Sequence, residues 1–324
     1  MRSVFASACL LLACGPRAVK VTVKPEDPKL DISPPWVDPE TFWIRGAPPP
    51  ARPLSDAVSD PNAPTIVIKN ATIMTATGAR YDGGMIVIEK GAIKYVGADA
   101  PAPAGATVVD GKGKFVTPGV IDAHSHIGVF SVPVGKGNGE GNEAIAPVTA
   151  QVRAEYGYWP QDPQVARALA GGVTAALILP GSANLVGGRG YTVVMKPART
   201  AREAAFPGAP QTVKMACGEN PKRTYGDKGV LQTRMHEYAA FRMAFAEAQV
   251  YAAKQAAYVK ARTIWEQRRK RALELDAKRT DGKTVPGEPG PEPVPLDLRL
   301  ETLAGVLRGD VLVQIHCYRA DEMV

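Results

Sequence analysis

The stretch Pro118-Gly119-Val120-Ile121-Asp122-Ala123-His124-Ser125-His126 decides the fold. Its apolar run predicts a buried strand over residues 119–126, and residues i and i+2 of a strand point to the same side. His124 and His126 therefore aim two imidazoles at one point, at the carboxyl end of the strand. Neutral imidazole is the commonest metal ligand among protein side chains. On spacing alone, a metal site and a pair of one buried and one exposed histidine are equally good interpretations.

The segments before and after this strand differ in their amino-acid pattern. Short β-branched runs separated by glycine turns predict a small antiparallel β unit over residues 65–117. After the strand, predicted strands alternate with helices, which indicates parallel pairing through right-handed crossovers. These strands are predicted at 173–179, 191–195, 212–217 and 311–316, the helices at 163–170 and 297–308, and a long helical insertion at about 231–280.

A β unit, then a Pro-Gly-x-Ile-Asp-x-His-x-His strand, then this alternation resembles the metal-dependent amidohydrolase superfamily. Segments 181–190 and 217–222 resemble its imidazolonepropionase and prolidase-like branch. The resemblance implies an α/β fold, a (β/α)8 TIM-type barrel from residue 118 onward beside a small N-terminal β-sandwich unit. It also implies one or two divalent metal ions, zinc by default. The implied activity is hydrolysis of amide or cyclic-amide C–N bonds in a small molecule or peptide, through a metal-activated water.

The resemblance assigns metal ligands one residue at a time. His124 and His126 match the histidine pair of the first barrel strand, and His316 matches the histidine of the fifth. Lys214 matches the bridging lysine, often carboxylated, of the prolidase-like members. Glu219 is the alternative bridge, and a lysine that reaches solvent from a sheet edge is the structural alternative for Lys214.

Three further residues are candidates for substrate binding. Asn184 and Arg189 lie in the glycine-rich segment 181–190, after the second barrel strand, where barrel loops build active sites. They could hold a substrate carboxylate, or the segment could simply turn. Arg319 follows the fifth strand, and substrate contact or a loop salt bridge with Asp321 are equally open.

The superfamily pattern also includes a histidine on the sixth barrel strand and an aspartate on the eighth, the general base. Neither has a counterpart before the sequence ends at Val324. We count about five of eight barrel strands, so we expect an incomplete barrel and an inactive fragment. A non-catalytic envelope lipoprotein with a decayed barrel is the alternative.

The first fourteen residues resemble a bacterial lipoprotein signal peptide. A positive start is followed by an apolar run of about ten residues, too short to span a bilayer. The run ends in Leu11-Leu12-Ala13-Cys14-Gly15, which indicates Cys14 as the lipidated residue. We therefore expect a lipid-anchored protein of the bacterial cell envelope, facing the periplasm. Twelve prolines across residues 15–64 predict an extended tether.

The amino-acid composition excludes several classes of protein. A chain of 324 residues with 45% hydrophobic residues is not a disordered protein, and four cysteines exclude a disulfide-built scaffold. Cys217 and Cys317 are predicted to be small buried hydrophobes. Nine basic and three acidic residues over 254–279 account for most of the net charge of +7. Binding of a membrane surface through this basic helix is an alternative function, and a solvated insertion is the plainer interpretation. A signal peptide argues against a nucleic-acid partner, and oligomerisation is left open.

Overall fold

The computed structural model describes residues 62–278, 280 and 287–323. The predicted signal peptide with Cys14, and the predicted tether up to residue 61, lie outside these residues. The strands are β1 (Ile66–Met74), β2 (Arg80–Glu89), β3 (Ala92–Gly97), β4 (Thr107–Asp110), β5 (Phe115–Val116), β6 (Val120–Ser125), β7 (Val173–Ile178), β8 (Val186–Arg189), β9 (Tyr191–Val194), β10 (Gln211–Ala216) and β11 (Val311–His316). The helices are α1 (Ala154–Gly157), α2 (Pro163–Ala170), α3 (Ala201–Ala204), α4 (Glu219–Tyr225), α5 (Arg234–Asp276) and α6 (Leu298–Arg308).

The first five strands form one sheet in the order β3-β2-β1-β4, with β5 also paired to β1. β1, β2 and β3 are antiparallel neighbours, as predicted, but β4 and β5 join β1 in parallel. The parallel pairing of β4 and β5 was not predicted from the sequence, in which residues 108–113 only lead out of the β unit. The connection from β3 to β4 leads from one edge of the sheet to the other. There β4 pairs with β1 in the same direction. Val67, Met85 and Val87 form one small core here, and Ala71, Ile73 and Ile86 form another.

The α/β part begins at β6 and contains two sheets, β6-β7-β9 and β11-β10-β8. β6 pairs with β7 in parallel, and β10 pairs with β11 in parallel. β8 and β9 are separated by Gly190 alone and run antiparallel to β10 and β7 respectively. They amount to one bent strand between β7 and β10.

This bent strand corrects two predictions. The predicted strand at 191–195 exists but is antiparallel, and the glycine-rich segment 181–190 contains a strand rather than only a loop. The reason is the connection after β7, which is short and contains no helix. A short connection reverses the chain, whereas a parallel crossover needs a dozen or more residues.

None of the sheets closes within the described part of the chain, where β6 and β11 each pair on one side. This corrects the prediction of a buried strand over 119–126. Val120 is 55% exposed and Ile121 is 66% exposed, because β6 lies at a sheet edge. The carboxyl end of the strand is better covered, and Ser125 is buried.

Two hydrophobic cores hold the α/β part together. One lies around β7, β9 and α2 and includes Ile178, Val193 and Val165. The other packs β10 and β11 against α5 and α6 and includes Val213 and Leu303. Burial of such aliphatic side chains stabilises each element by about 1.5–3 kcal/mol per residue.

The helices begin where the sequence supplies capping residues. The Asp162 carboxylate accepts the backbone N–H of Gln164, with Pro163 at the first helical position of α2. The Asp297 carboxylate accepts two backbone N–H groups at the start of α6. The predicted long helix is observed as α5, whose 43 residues extend for about 65 Å. Among the described residues, no helix combines the length and apolar character needed to cross a bilayer.

A disulfide joins Cys217, one residue beyond β10, to Cys317, one residue beyond β11. Their Cα atoms are 5.0 Å apart, and 100 residues separate them in sequence. The prediction that both cysteines are simply buried hydrophobes was therefore wrong. Parallel pairing of β10 with β11 brings the two carboxyl ends together, and this long-range pairing was not visible in the local sequence.

Gly188 has a backbone conformation that the bent strand requires, with φ at +111°. A Cβ at this position would lie 2.4 Å from Cγ2 of Val152 and 2.7 Å from its carbonyl oxygen. We expect Gly188→Ala to lower the free energy of unfolding by about 2–3 kcal/mol in urea denaturation. Gly187→Ala is the matched control, since a Cβ there meets no atom closer than 3.4 Å. Equal urea midpoints for the two variants would contradict this interpretation of the bend.

Candidate metal centre

Four of the predicted ligands converge where β6, β10 and β11 end. The Nζ atom of Lys214 lies 3.1 Å from Nε2 of His124. The rings of His124 and His126 are 5.1 Å apart between centroids and nearly perpendicular. His316 is the last residue of β11, and Lys214 and His126 both act electrostatically on its imidazole. The structure thus brings the predicted histidines and Lys214 together from three strands.

Hydrogen bonds fix the orientation of two of the imidazoles. Nδ1 of His126 lies 2.8 Å from the carbonyl oxygen of Leu179. A carbonyl only accepts, so Nδ1 carries the proton and Nε2 keeps its lone pair for a ligand. Nδ1 of His316 lies 2.9 Å from the Ser182 hydroxyl, an arrangement that likewise leaves Nε2 free. Such outer contacts orient metal-binding histidines in general.

Ser182 and Leu179 are site residues that the sequence analysis missed. Both flank Pro180-Gly181 in the segment that follows β7. Leu179 acts through its backbone carbonyl, so its residue type does not reveal the contact. A serine is common in glycine-rich segments, so Ser182 does not stand out in the sequence either. Only the fold reveals that this segment contacts histidines from two different strands.

The electrostatics of the site keep the imidazoles neutral. Partial burial, with the Lys214 charge as the next cause, lowers the pKa of His124 to about 4. Burial also lowers the pKa of His126 and of His316, and Lys214 again contributes. His124 is exposed and the other two imidazoles are half-buried, so the group faces an opening to solvent.

Lys214 is the most constrained member of the group. It is 0% exposed, and burial lowers its pKa to about 8. No carboxylate of the described residues lies within ion-pair distance of its ammonium group, whose hydrogen-bond partner is His124. A buried charge without a counter-charge is costly, which favours the neutral amine. With a pKa near 8, Lys214 is mostly protonated at neutral pH, but its neutral amine is far more accessible than that of an exposed lysine. The three neutral imidazoles are nitrogen donors of the kind zinc prefers, so the histidines fit a divalent metal.

Glu219, the alternative bridging residue, is placed differently. Its carboxylate is largely exposed and lies 2.6 Å from Nη2 of Arg234. Hydrogen bonding to Arg234 is the main reason that its pKa is lowered. The structure therefore brings Lys214, rather than Glu219, into contact with the histidines.

The predicted substrate-binding residues are engaged with protein groups. The buried amide nitrogen of Asn184 donates to the carbonyl oxygens of Glu143 and Ala146 and lies 2.9 Å from the Tyr225 hydroxyl. Asn184 thus ties the loop after β6 to the segment after β7, and its contact with substrate stays a prediction.

The two arginines are also paired within the protein. Arg189 donates to the side-chain oxygen of Gln211 at 2.7 Å, at the amino end of β10. This end of the strand is opposite to the end that carries the disulfide, and the substrate contact of Arg189 stays a prediction. Arg319 makes a bidentate salt bridge with Asp321, the alternative that the sequence left open.

A polar cavity of about 530 Å³ lies beside the segment after β7. Its lining includes Pro180, Val129, Glu140, Glu143 and Arg153. Pro180 directly follows Leu179, whose carbonyl contacts His126, but none of the four candidate ligands lines this cavity. The volume is in the range of small-molecule sites.

Known proteins are similar to this chain over different spans. Amidohydrolase tasK of Hapsidospora irregularis is 32% identical over 305 residues, which cover 85% of this chain and 29% of that protein. The crystal structure of an amidohydrolase from Thermotoga maritima MSB8 is 37% identical, with a TM-score of 0.64 over 80% of this chain and 59% of that one. Imidazolonepropionase of Idiomarina loihiensis is 52% identical over 66 residues, 18% of this chain and 16% of that protein.

The chain thus spans 29% and 59% of the length of the first two of these relatives. No protein-family model matches it.

The pKa of His124 can be tested by a pH titration of the histidine resonances in metal-free protein. We expect a midpoint near pH 4 for His124, and Lys214→Met should raise it because the neighbouring cation is lost. The midpoint should stay below 6.5, since burial is the larger cause. The resonances of His236, exposed on α5, should not respond to the substitution. An unchanged His124 midpoint in Lys214→Met would show that the two side chains do not interact.

Proposed function

The chain belongs to the amidohydrolase superfamily, and we propose that it acts as a metal-dependent hydrolase of amide or cyclic-amide C–N bonds. Its homologues support a hydrolase that acts on C–N bonds. Its similarity to the Thermotoga maritima structure implies a TIM-barrel-like fold, and we propose the closed (β/α)8 form for the functional protein. One observation carries the metal dependence, namely three neutral imidazoles around the buried Lys214.

Each ligand has a definite task in this proposal. His126 and His316 would bind the metal through Nε2, because their Nδ1 atoms contact Leu179 and Ser182. A metal at Nε2 of His124 would replace the contact that this atom makes with Lys214. A divalent ion held there, zinc by the preference of nitrogen donors, supplies an activated water and polarises the scissile carbonyl. Lys214 would help to hold the metal as a carbamate. Its neutral amine would form an N–C bond to carbon dioxide and release one proton to solvent, and the carbamate would then supply oxygen ligands.

We assign no general base among the described residues. Asp122 is the carboxylate that acts on the pKa of both His124 and His126. Its Oδ1 atom accepts the backbone N–H of His124 at 3.1 Å, so it supports the strand end. The proposed substrate is a small amide or peptide, in keeping with the size of the cavity beside Pro180.

Zinc titration tests the metal centre directly. We expect His124→Ala and His126→Ala each to weaken Zn²⁺ binding by more than about 100-fold, because loss of a direct ligand exceeds the 10–100-fold typical of outer contacts. His236→Ala is the matched control and should bind as the parent does. A panel of dipeptides, N-acyl amino acids and cyclic amides then tests hydrolysis. Equal zinc affinity in all three variants would refute the metal centre and favour the non-catalytic alternative.

We also propose that the protein is lipid-anchored in the bacterial cell envelope. Residues 1–14 support this, because they combine a positive start, an apolar run and Cys14. The Cys217–Cys317 disulfide supports it independently, because disulfides persist in oxidising compartments such as the periplasm.

Cys14→Ala tests the anchor in an expressing bacterium. We expect loss of palmitate labelling and a shift from the membrane fraction to the soluble fraction. Cys9→Ala removes a cysteine from the same apolar run and should keep the label. Labelling that survives Cys14→Ala would show that Cys14 is not the lipidated residue.

The structure gives little support to membrane-surface binding through the basic helix. Surface-bound helices need an apolar face opposite a charged one. In α5 the four consecutive basic residues 268–271 cover most of the circumference, since a turn takes 3.6 residues. Exposed apolar residues do not gather on one side, since Val259 and Leu275 lie about 160° apart around the helix axis. The part of α5 from residue 254 onward is better described as a solvated helix.

A further inference from the structure

We infer that the Cys217–Cys317 disulfide positions His316 for metal binding. This inference rests on the proposed function, because it concerns the same metal centre. The two cysteines take no part in the proposed hydrolysis. The inference gives them one effect, which is to fix the position of His316.

The first observation is the position of the disulfide in the sheet. Cys317 directly follows His316, and Cys217 lies three residues beyond Lys214. The backbone N–H of Cys217 donates to the carbonyl oxygen of His316 at 2.8 Å. The disulfide therefore cross-links the ends of β10 and β11 directly beside His316.

The second observation is that β11 is weakly held elsewhere. In the described part of the chain it hydrogen bonds to β10 on one side, and Ile315 is 47% exposed. Strand ends with one partner open more readily than central strands, because few buried contacts oppose the opening. The ring of His126 contacts a backbone carbonyl, that of Leu179, whereas the ring of His316 contacts a side-chain hydroxyl, that of Ser182.

The third observation is the turn that follows. The carboxylate of Glu322 accepts the backbone N–H groups of Tyr318 and Arg319, and it pairs with Arg234. This turn begins at Cys317, so the disulfide and Glu322 fix its two ends. With the disulfide removed, the turn keeps its own hydrogen bonds but loses its covalent tie to β10. We therefore expect the end of β11, with His316, to move relative to the other ligands.

The disulfide can be opened chemically as well as by mutation. A water-soluble phosphine gives the two sulfurs two electrons, water supplies two protons, and the phosphine is oxidised to its oxide. Two thiols replace the S–S bond. Capping the thiols with a maleimide prevents both reoxidation and binding of metal by the thiols.

A double-mutant cycle tests the inference, with Zn²⁺ affinity measured by competition with a chromophoric chelator. We expect C217A/C317A to bind zinc about 10–100-fold more weakly, as for other groups that orient a ligand. In the His316→Ala background the same pair of substitutions should cause no further loss, because the residue it positions is gone. In the His124→Ala background the loss should persist.

The outcomes separate this inference from the proposed function. Absence of zinc binding in the unsubstituted protein would overturn both. Zinc binding that C217A/C317A leaves unchanged would overturn the inference alone. An equal loss in the His316→Ala background would also overturn it, since the disulfide would then act through general stability. Should C217A/C317A not fold, reduction and capping of the folded protein gives the same comparison. Weaker zinc binding after capping would then support the inference, and unchanged binding would overturn it.

Discussion

A lysine buried without a counter-charge is the constraint around which the site is built. Lys214 is 0% exposed and contacts a histidine rather than a carboxylate. The fall of its pKa from 10.5 to about 8 corresponds to roughly 3 kcal/mol against the ammonium form. This cost is tolerated because burial of β10 between β8 and β11 is needed for the core. Burial of the imidazoles, with the Lys214 charge as a smaller cause, keeps His124, His126 and His316 unprotonated, so three nitrogen donors are available at neutral pH.

The parts of the site that follow from local periodicity could be predicted. The i, i+2 rule places His124 and His126 together, and the apolar runs around Lys214 and His316 identify their strands. The parts that depend on long-range pairing could not. The disulfide joins residues 100 positions apart, and Ser182 reaches His316 across 134 residues. Neither distance leaves a local pattern in the sequence.

The direction of β9 shows why strand–helix alternation alone did not predict the sheet topology. Residues 191–194 have the β-branched composition of any buried strand, and composition does not encode direction. The length of the preceding connection does encode it, because no helix lies between β7 and β8. The glycines of this segment suggest a loop, yet one of them, Gly188, sits opposite Lys214 in the β8–β10 pairing. The absence of a side chain at Gly188 leaves room for Val152, which packs against this position.

The segment after β7 explains why an antiparallel strand is useful in this place. Leu179 orients His126, Ser182 orients His316, and Asn184 ties the segment to the loop after β6. A helical crossover would lead the chain away from this edge after the first of these contacts. An immediate return as β8 anchors the segment at both ends, to β7 before it and to β10 after it. The reversal therefore holds one short stretch across histidines from two separate sheets, which is what orienting both rings requires.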